Sequence, residues 1–359
     1  MTDKKNLGED NPRARIRHKR AIAIIAIILA LAAIVFVCIL AGYGGPIGPS
    51  DQGRYISFQT AIDILLGKNP SDSNYAVRII WDVRMPRVAM AAFVGAALAA
   101  AGTAMQAVFR NSMADPFIIG VSSGAAVGAA AVSLLGVGAA ISLIAQPSLA
   151  FLGAVVTVFV VYKLGTAKGK VYVDTLLLSG VAVAAFLGAL VSLMLYISGE
   201  NYYKLGYWLM GSLTLSSWLW VGVIVLPVIL GTVIIFLYGR ELNVLLLGEE
   251  TAHNLGANPE FLKKIMLAVA AIMTGVAVAF VGIIGFVGLM IPHMMRLVVG
   301  PDHRVLVPAA TLGGAMFLIA TDTLSRSFIE LPVGIITAML GGPFFLFLLR
   351  QRRIRGGRQ

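Results

Sequence analysis

Ten apolar stretches, most of them close to 20 residues long, dominate this sequence and constrain what it can fold into. A helix of about 20 apolar residues is the element that crosses the ~30 Å hydrocarbon core of a bilayer. Only 13% of the residues are charged, about half the share in a typical soluble domain. We therefore expect an all-α polytopic membrane protein, and exclude a soluble enzyme, a nucleic-acid binder and a disordered chain. The predicted spans are 21–41, 88–109, 117–136, 146–162, 176–197, 218–238, 265–285, 286–299, 305–321 and 332–349.

The basic residues predict how the spans are oriented. Seven Lys/Arg lie in residues 1–20 and five in residues 350–358, and such clusters beside a span mark the cytoplasmic side. With both termini in the cytoplasm the number of crossings is even. Ten spans place 21 Lys/Arg inside and seven outside, which favours ten over eight or twelve. The predicted layout is a basic tail (1–20), a ten-span domain (21–349) with an external segment (42–87) and a cytoplasmic loop (239–264), and a basic tail (350–359).

Two of the apolar segments are less regular than the others. Residues 21–41 follow a basic flank as a signal peptide does, but they exceed the length of a typical signal core, so a first span is favoured. Residues 286–299 are short and contain Pro292, which interrupts helical hydrogen bonding. They form either a short broken span or a re-entrant segment. Outside the spans, we predict an amphipathic surface helix near residues 57–66 and an interfacial helix over 201–213.

Small residues recur at a spacing of four inside the spans. Gly95, Ala99 and Thr103 form one such row, and Gly124 and Gly128 form another. Helices approach closely in lipid where small residues line their contact. A static bundle and a moving interface both fit this pattern.

Two common signatures of nucleotide and metal chemistry are absent from the sequence. It contains no G-x-x-x-x-G-K-[S/T] phosphate loop and no H-E-x-x-H. The clearest charge within a span is Asp322, with Arg326 one helical turn further on, and such a pair can neutralise itself. If the protein transports, its energy source is expected elsewhere. An ion-coupled secondary transporter that uses Asp322 is the alternative.

A short loop helix is predicted between the sixth and seventh spans. Gly248 and Gly256 bracket about two helical turns, and Glu249 and Glu250 lie at the N-terminus, where the helix dipole favours anions. Residues 252 and 255 are an alanine and a leucine, which we expect to offer a small apolar face.

Several motifs in a fixed order carry a resemblance that covers roughly residues 80–349. They are Arg84-Met-Pro-Arg87, Gly95-Ala-Ala-Leu98, Arg110-Asn-Ser-Met-Ala-Asp-Pro116, Gly120-Val-Ser-Ser-Gly-Ala125, Gly282-Ile-Ile-Gly-Phe-Val-Gly-Leu-Met-Ile-Pro-His293 and Leu331-Pro-Val-Gly334. Together they closely resemble the permease subunits of type II ABC importers, the FecCD family, which carries ferric siderophores, haem and cobalamin.

The resemblance implies a transport permease rather than an enzyme, in the inner or plasma membrane. It implies a homodimer around a central pathway, with two ABC ATPase subunits on the cytoplasmic side and a substrate-binding protein on the other. ATP and Mg would be bound by the ATPase, and no cofactor by this chain. The substrate would be a metal chelate: a ferric siderophore, cobalamin or haem.

The resemblance also assigns roles to residues of this sequence. The ATPase-coupling segment is Leu247, Gly248, Glu249, Glu250, Thr251, Ala252, Leu255 and Gly256. The arginines that dock the binding protein are Arg84, Arg87 and Arg326, for which snorkelling at the interface is the alternative. The pathway or gate residues are Asn111, Met113, Val173 and Asp174.

Overall fold

Apolar α-helices occupy all ten segments that the sequence predicts as spans. The computed structural model describes residues 12–40, 56, 58–68, 74–135, 139–199, 202–327 and 330–356. Eight helices within these ranges are long and apolar enough to cross a membrane. They are α1 (Pro12–Leu40), α4 (Met85–Val108), α6 (Ala139–Leu164), α7 (Val173–Ile197), α9 (Trp218–Leu237), α12 (Pro259–Val281), α14 (His303–Ser327) and α15 (Val333–Gly356). The all-α polytopic fold is therefore confirmed.

The remaining two apolar helices are shorter. Helix α5 (Val121–Leu134) has 14 residues and follows a 3₁₀ turn, and α13 (Val287–Val299) has 13. The predicted span 265–285 ends at Val281, because Gly282 leaves the helix with a φ of 73°. Pro292 lies within α13 without ending it, so the expected break comes before this helix rather than inside it.

Short elements connect the long helices. The predicted surface helix is present as α2 (Phe58–Leu65), and the interfacial one as α8 (Tyr202–Leu209). Helix α8 ends earlier than predicted, because Gly211 adopts a φ of 72° and turns the chain. The other short elements are α3 (Asn74–Arg78), α10 (Gly239–Leu245), α11 (Glu249–Asn254), and the strands β1 (Thr166–Ala167) and β2 (Lys170–Val171), which form an antiparallel hairpin between α6 and α7.

The predicted external segment 42–87 is partly helical. Helix α3, a π-helical segment (Ile79–Arg84) and α4 follow one another without a break, so residues 74–87 extend α4 at its N-terminal end. Residues 42–55, 57 and 69–73 lie outside the described residues, as do 1–11 and 357–359 of the basic tails. The predicted domain bounds and the cytoplasmic location of both termini stay predictions.

Helix α4 is the core of the bundle and packs against α9, α12, α13 and α14. Glycines allow the backbones to meet: a Cβ at Gly95 would lie 2.2 Å from the carbonyl oxygen of Gly314, and one at Gly102 only 1.9 Å from that of Gly288. The small-residue rows are therefore close helix contacts, as the spacing predicts.

Helix α7 has the opposite character from α4. Of its most apolar 18-residue window only 17% is buried inside the chain, against 83% for the helix that includes α4. Most of α7 therefore faces outward, towards lipid or another subunit.

Candidate functional sites at the two ends of helix α4

A buried charge cluster lies at the N-terminal end of α4. Arg87 places its Nε 3.0 Å from Oδ1 and 3.2 Å from Oδ2 of Asp322 on α14, and Arg326 Nε lies 3.2 Å from Oδ2. The side chains of Arg87, Asp322 and Arg326 are 7%, 1% and 8% exposed. Asp322 thus binds a second arginine besides the one that its helical spacing predicts. Its partner Arg87 also approaches Glu330, at 4.0 Å.

Arg84 is buried beside this cluster. Its guanidinium donates a hydrogen bond of 3.0 Å to the carbonyl oxygen of Ile39 and thereby joins the π-helical segment to the end of α1. All three arginines that the resemblance assigns to docking are therefore buried within the chain, and their docking role stays a prediction. The exposed residues of the π-helical segment are Trp81, Asp82 and Val83, which sequence reasoning did not single out. Trp218 donates its indole N–H to the Trp81 carbonyl oxygen, at 2.8 Å.

The loop helix α11 lies at the other end of α4. It runs between Gly248, with a φ of 113°, and Gly256, with a φ of 85°, as the spacing of these glycines predicts. Glu250, Thr251, Leu247 and Leu255 are exposed, and Glu249 is half-buried. The expected apolar face differs in one residue: Ala252 is fully buried, because the helix packs this side against the bundle. Leu247 and Leu255 are the exposed apolar side chains of the coupling segment.

Sequence reasoning missed a buried lysine beside α11. Lys263 on α12 is 1% exposed, and its Nζ lies 3.0 Å from Oε2 of Glu249 and 2.6 Å from Oε1 of Glu260. It also donates to the carbonyl oxygen of Val171, at 2.9 Å, while the Val171 N–H donates to Glu260 Oε2, at 2.7 Å. The i,i+3 spacing of Glu260 and Lys263 was the one feature of the sequence that could have indicated an ion pair of Lys263.

The predicted gate residues lie on two neighbouring connections. The Asn111 side chain accepts a hydrogen bond of 3.0 Å from the Met113 N–H in the turn after α4. Val173 and Asp174 begin α7 directly after the β1–β2 hairpin, and Asp174 is exposed. Helix α7 itself packs on the connection after α4, where Gly180 lies against the carbonyl oxygen of Ile118. Their role as a gate stays a prediction.

Asp115 shapes the connection between α4 and α5. Its carboxylate accepts a hydrogen bond of 2.8 Å from the Phe117 N–H and caps the 3₁₀ turn that leads into α5. Burial raises the pKa of Asp115 to about 6, an effect that the Phe117 hydrogen bond opposes. The group therefore changes charge close to neutral pH.

The fold and the sites together define a polytopic membrane permease. The profile of the FecCD transport family matches residues 50–351, and the chain belongs to this family. It is an ABC transporter permease and a multi-pass protein of the inner membrane.

Characterised relatives and a solved structure agree with this assignment. The cobalamin import system permease protein of Halobacterium salinarum is 50% identical over 279 residues, 77% of this chain and 74% of that protein. The hemin transport system permease protein of Yersinia pestis is 42% identical, over 80% of this chain and 88% of its own. A solved inward-facing transporter, assigned to the metal-chelate ABC type, superposes with a TM-score of 0.77 at 30% identity, covering 91% of this chain and 98% of its own.

Proposed function

We propose that this chain is the membrane-spanning subunit of an ATP-driven importer for a bulky metal chelate. Two copies would form the translocation pathway, two ATPase subunits would bind on the cytoplasmic side, and a binding protein would deliver the chelate from the other side. The exposed helix α11 is the observation that carries this proposal.

Helix α11 has the properties of a contact for a separate energy-supplying subunit. It projects Glu250 and Leu255 into solvent at one end of the bundle, while its buried side is fixed to the rest of the chain. Since the sequence has no phosphate loop, ATP with its Mg would be bound and hydrolysed by the partner, and this chain would contribute no cofactor. Closure of the partner would then move α11.

The homodimer and the pathway follow from the outward-facing surface. Helix α7 buries only 17% of its apolar window inside the chain, and it begins with the proposed gate residues Val173 and Asp174. A second copy that packs beside α7 would bring two such helix starts together, with the turns at Asn111 and Met113 next to them.

Docking of the binding protein is proposed for the arginine end of α4. The three arginines there are matched by three carboxylates, those of Asp82, Asp322 and Glu330. The support for docking is therefore the family resemblance, in which arginines at these positions pair with acidic residues of the binding protein.

Cobalamin is the favoured chelate, because the relative that is 50% identical is named as a cobalamin permease. Haem and iron chelates follow, since the Yersinia pestis permease is named for hemin and a Helicobacter pylori relative, 34% identical, for iron chelatin. An ion-coupled mechanism through Asp322 is disfavoured, because two guanidinium groups already bind its carboxylate.

Uptake in cells with and without this chain tests the proposal. Labelled cobalamin, haem and a ferric siderophore are offered separately, each with and without ATP depletion. We expect uptake of cobalamin to require both the chain and ATP. Uptake that survives ATP depletion and collapses with an ionophore would overturn the proposal in favour of an ion-coupled transporter.

A further inference from the structure

Lys263 lies between three pieces of the chain: α11, the first turn of α12 and the hairpin that precedes α7. Its Nζ contacts Glu249 of α11, Glu260 in the first turn of its own helix α12, and the backbone of the hairpin that precedes α7. With 1% of its side chain exposed, the ammonium group is enclosed by these partners. A buried lysine is stable only where its charge is paired and its N–H groups have acceptors. Here two carboxylates pair with the charge, and they and one carbonyl oxygen accept the hydrogen bonds.

The hairpin is attached to α12 through the two backbone groups of Val171. Both backbone groups of this residue are bound by side chains of α12, its N–H by Glu260 and its carbonyl oxygen by Lys263. Val171 is itself buried, and two residues later Val173 begins α7. Any displacement of the first turn of α12 is therefore transferred to the start of α7 through two hydrogen bonds.

Helix α11 is attached to the same point from the other side. Glu249 is its first residue and is half-buried, whereas the neighbouring Glu250 is exposed. The two glutamates thus have different surroundings: Glu249 is turned towards Lys263, and Glu250 is available to a partner. A force on the exposed side of α11 reaches Lys263 through one ion pair of 3.0 Å.

We propose that Lys263 is the positioning residue that couples α11 to the start of α7, so that these two elements and the first turn of α12 move as one rigid unit. The proposal rests on the proposed ATPase contact of α11 and adds the route by which that contact reaches the pathway. Removal of the ammonium group separates the two ends of the route while leaving Glu250, Leu247 and Leu255 in place for the ATPase.

The first test uses the assembled transporter, with ATPase and binding protein, in proteoliposomes. Lys263→Met is compared with Lys264→Met, which removes the same charge one residue further on; Lys264 lies instead against the apolar groove of Val155, Phe159 and Tyr162. The chelate is the one taken up in the cell experiment, with cobalamin tried first. We expect Lys263→Met to keep the ATPase bound but to transport on the order of tenfold less chelate per ATP, the size of a typical coupling between sites. Lys264→Met and Lys263→Arg should stay within about twofold of the parent chain, a change smaller than such a coupling.

Normal transport per ATP in Lys263→Met would overturn the inference. Failure of the parent chain to retain the ATPase would instead overturn the proposed function, so the two failures are distinguishable.

A second measurement does not depend on the folding of Lys263→Met. Spin labels are placed at Lys168→Cys on the hairpin and His253→Cys on α11, both exposed, after replacement of the single cysteine by Cys38→Ser. One copy of each homodimer carries the labels, and we expect the distance between them to be the same without nucleotide and with ATP bound, because the unit is rigid. A distance that changes or broadens with ATP would overturn the inference.

Discussion

The carboxylate of Asp322 binds Arg87, a residue 235 positions earlier in the chain, at 3.0 Å from its Nε. This contact joins α4 to α14 at the end where α1 also terminates, and Arg326 completes it from the next turn of α14. One carboxylate thus pairs with two buried cations, so the loss of either arginine has a different consequence from the loss of the acid.

Asp322→Asn should destabilise the bundle strongly. The substitution leaves Arg326 buried without a carboxylate and Arg87 with only Glu330, at 4.0 Å, which costs about 3 kcal/mol in the free energy of unfolding. The measurement is unfolding of the purified protein in detergent. Asp82→Asn, the same change at an exposed position of the same end, should stay within about 0.5 kcal/mol. Equal stability of the two variants would contradict the assignment of Asp322 as the centre of the cluster.

Reversal of an arginine should weaken docking of the binding protein. Arg84→Glu is expected to lower the affinity about tenfold, or 1.4 kcal/mol, by replacing attraction with repulsion, and the loss should be greater at low salt. The affinity is measured as binding of the binding protein to the permease in nanodiscs. Arg78→Glu, on the exposed side of α3, is the matched control. Because Arg84 is buried, the unfolding temperature is recorded alongside; unchanged affinity in a folded variant would exclude a docking role.

Glu250→Arg should weaken association with the ATPase while the chain still inserts in the membrane. We expect a decrease on the order of tenfold in affinity, about 1.4 kcal/mol, since the side chain is exposed on α11. Copurification with the ATPase reports the effect. Glu249→Arg should in addition disturb Lys263, its ion-pair partner. Parental association of both variants would refute the role of α11.

Gly102→Ala should destabilise the protein by about 1–3 kcal/mol through overpacking. The added Cβ would lie 1.9 Å from the carbonyl oxygen of Gly288, so α4 and α13 must separate. Gly222→Ala, on α9 with no atom within 4 Å of the new Cβ, should instead be neutral or stabilise by up to about 1 kcal/mol. Unfolding of the two variants in detergent tests whether the loss of stability comes from the close approach of the helices rather than from the removal of a glycine.

Protein stability should fall as pH rises through about 6 because of Asp115. Burial raises the pKa of its carboxyl from 3.8 to about 6, so between these pH values the folded chain holds a proton that the unfolded chain releases. Such a group favours the folded state at low pH and loses that contribution as it ionises. Asp115→Asn keeps an acceptor for the Phe117 N–H and should remove this part of the pH dependence. An unaltered profile between pH 4 and 7 would show that another group is responsible.

The positions of the long helices could be predicted because each one contains a long apolar run. The extension of α4 back to Asn74 could not, since Asp82 and Arg84 interrupt the apolar pattern there, although the chain is helical. An apolar pattern does not predict a helix whose charged residues find partners inside the protein.

The contacts of the candidate sites were predictable only where the partners are close in sequence. The spacing of Asp322 and Arg326 predicts their ion pair, and the glycines at 248 and 256 predict the bounds of α11. By contrast, Val171 meets Glu260 across 89 positions, and no local pattern contains that information. Burial of the docking arginines was missed for the same reason, because it depends on α1 and α14.

The brevity of α13 determines what shields the chain at membrane depth. Thirteen residues of α-helix rise only about 20 Å, a third less than the ~30 Å of hydrocarbon in an ordinary bilayer. The first half of α13, from Val287 to Pro292, is buried against neighbouring helices. The non-helical backbone of residues 282–286 before it can therefore lie at membrane depth only where protein, rather than lipid, surrounds its polar groups.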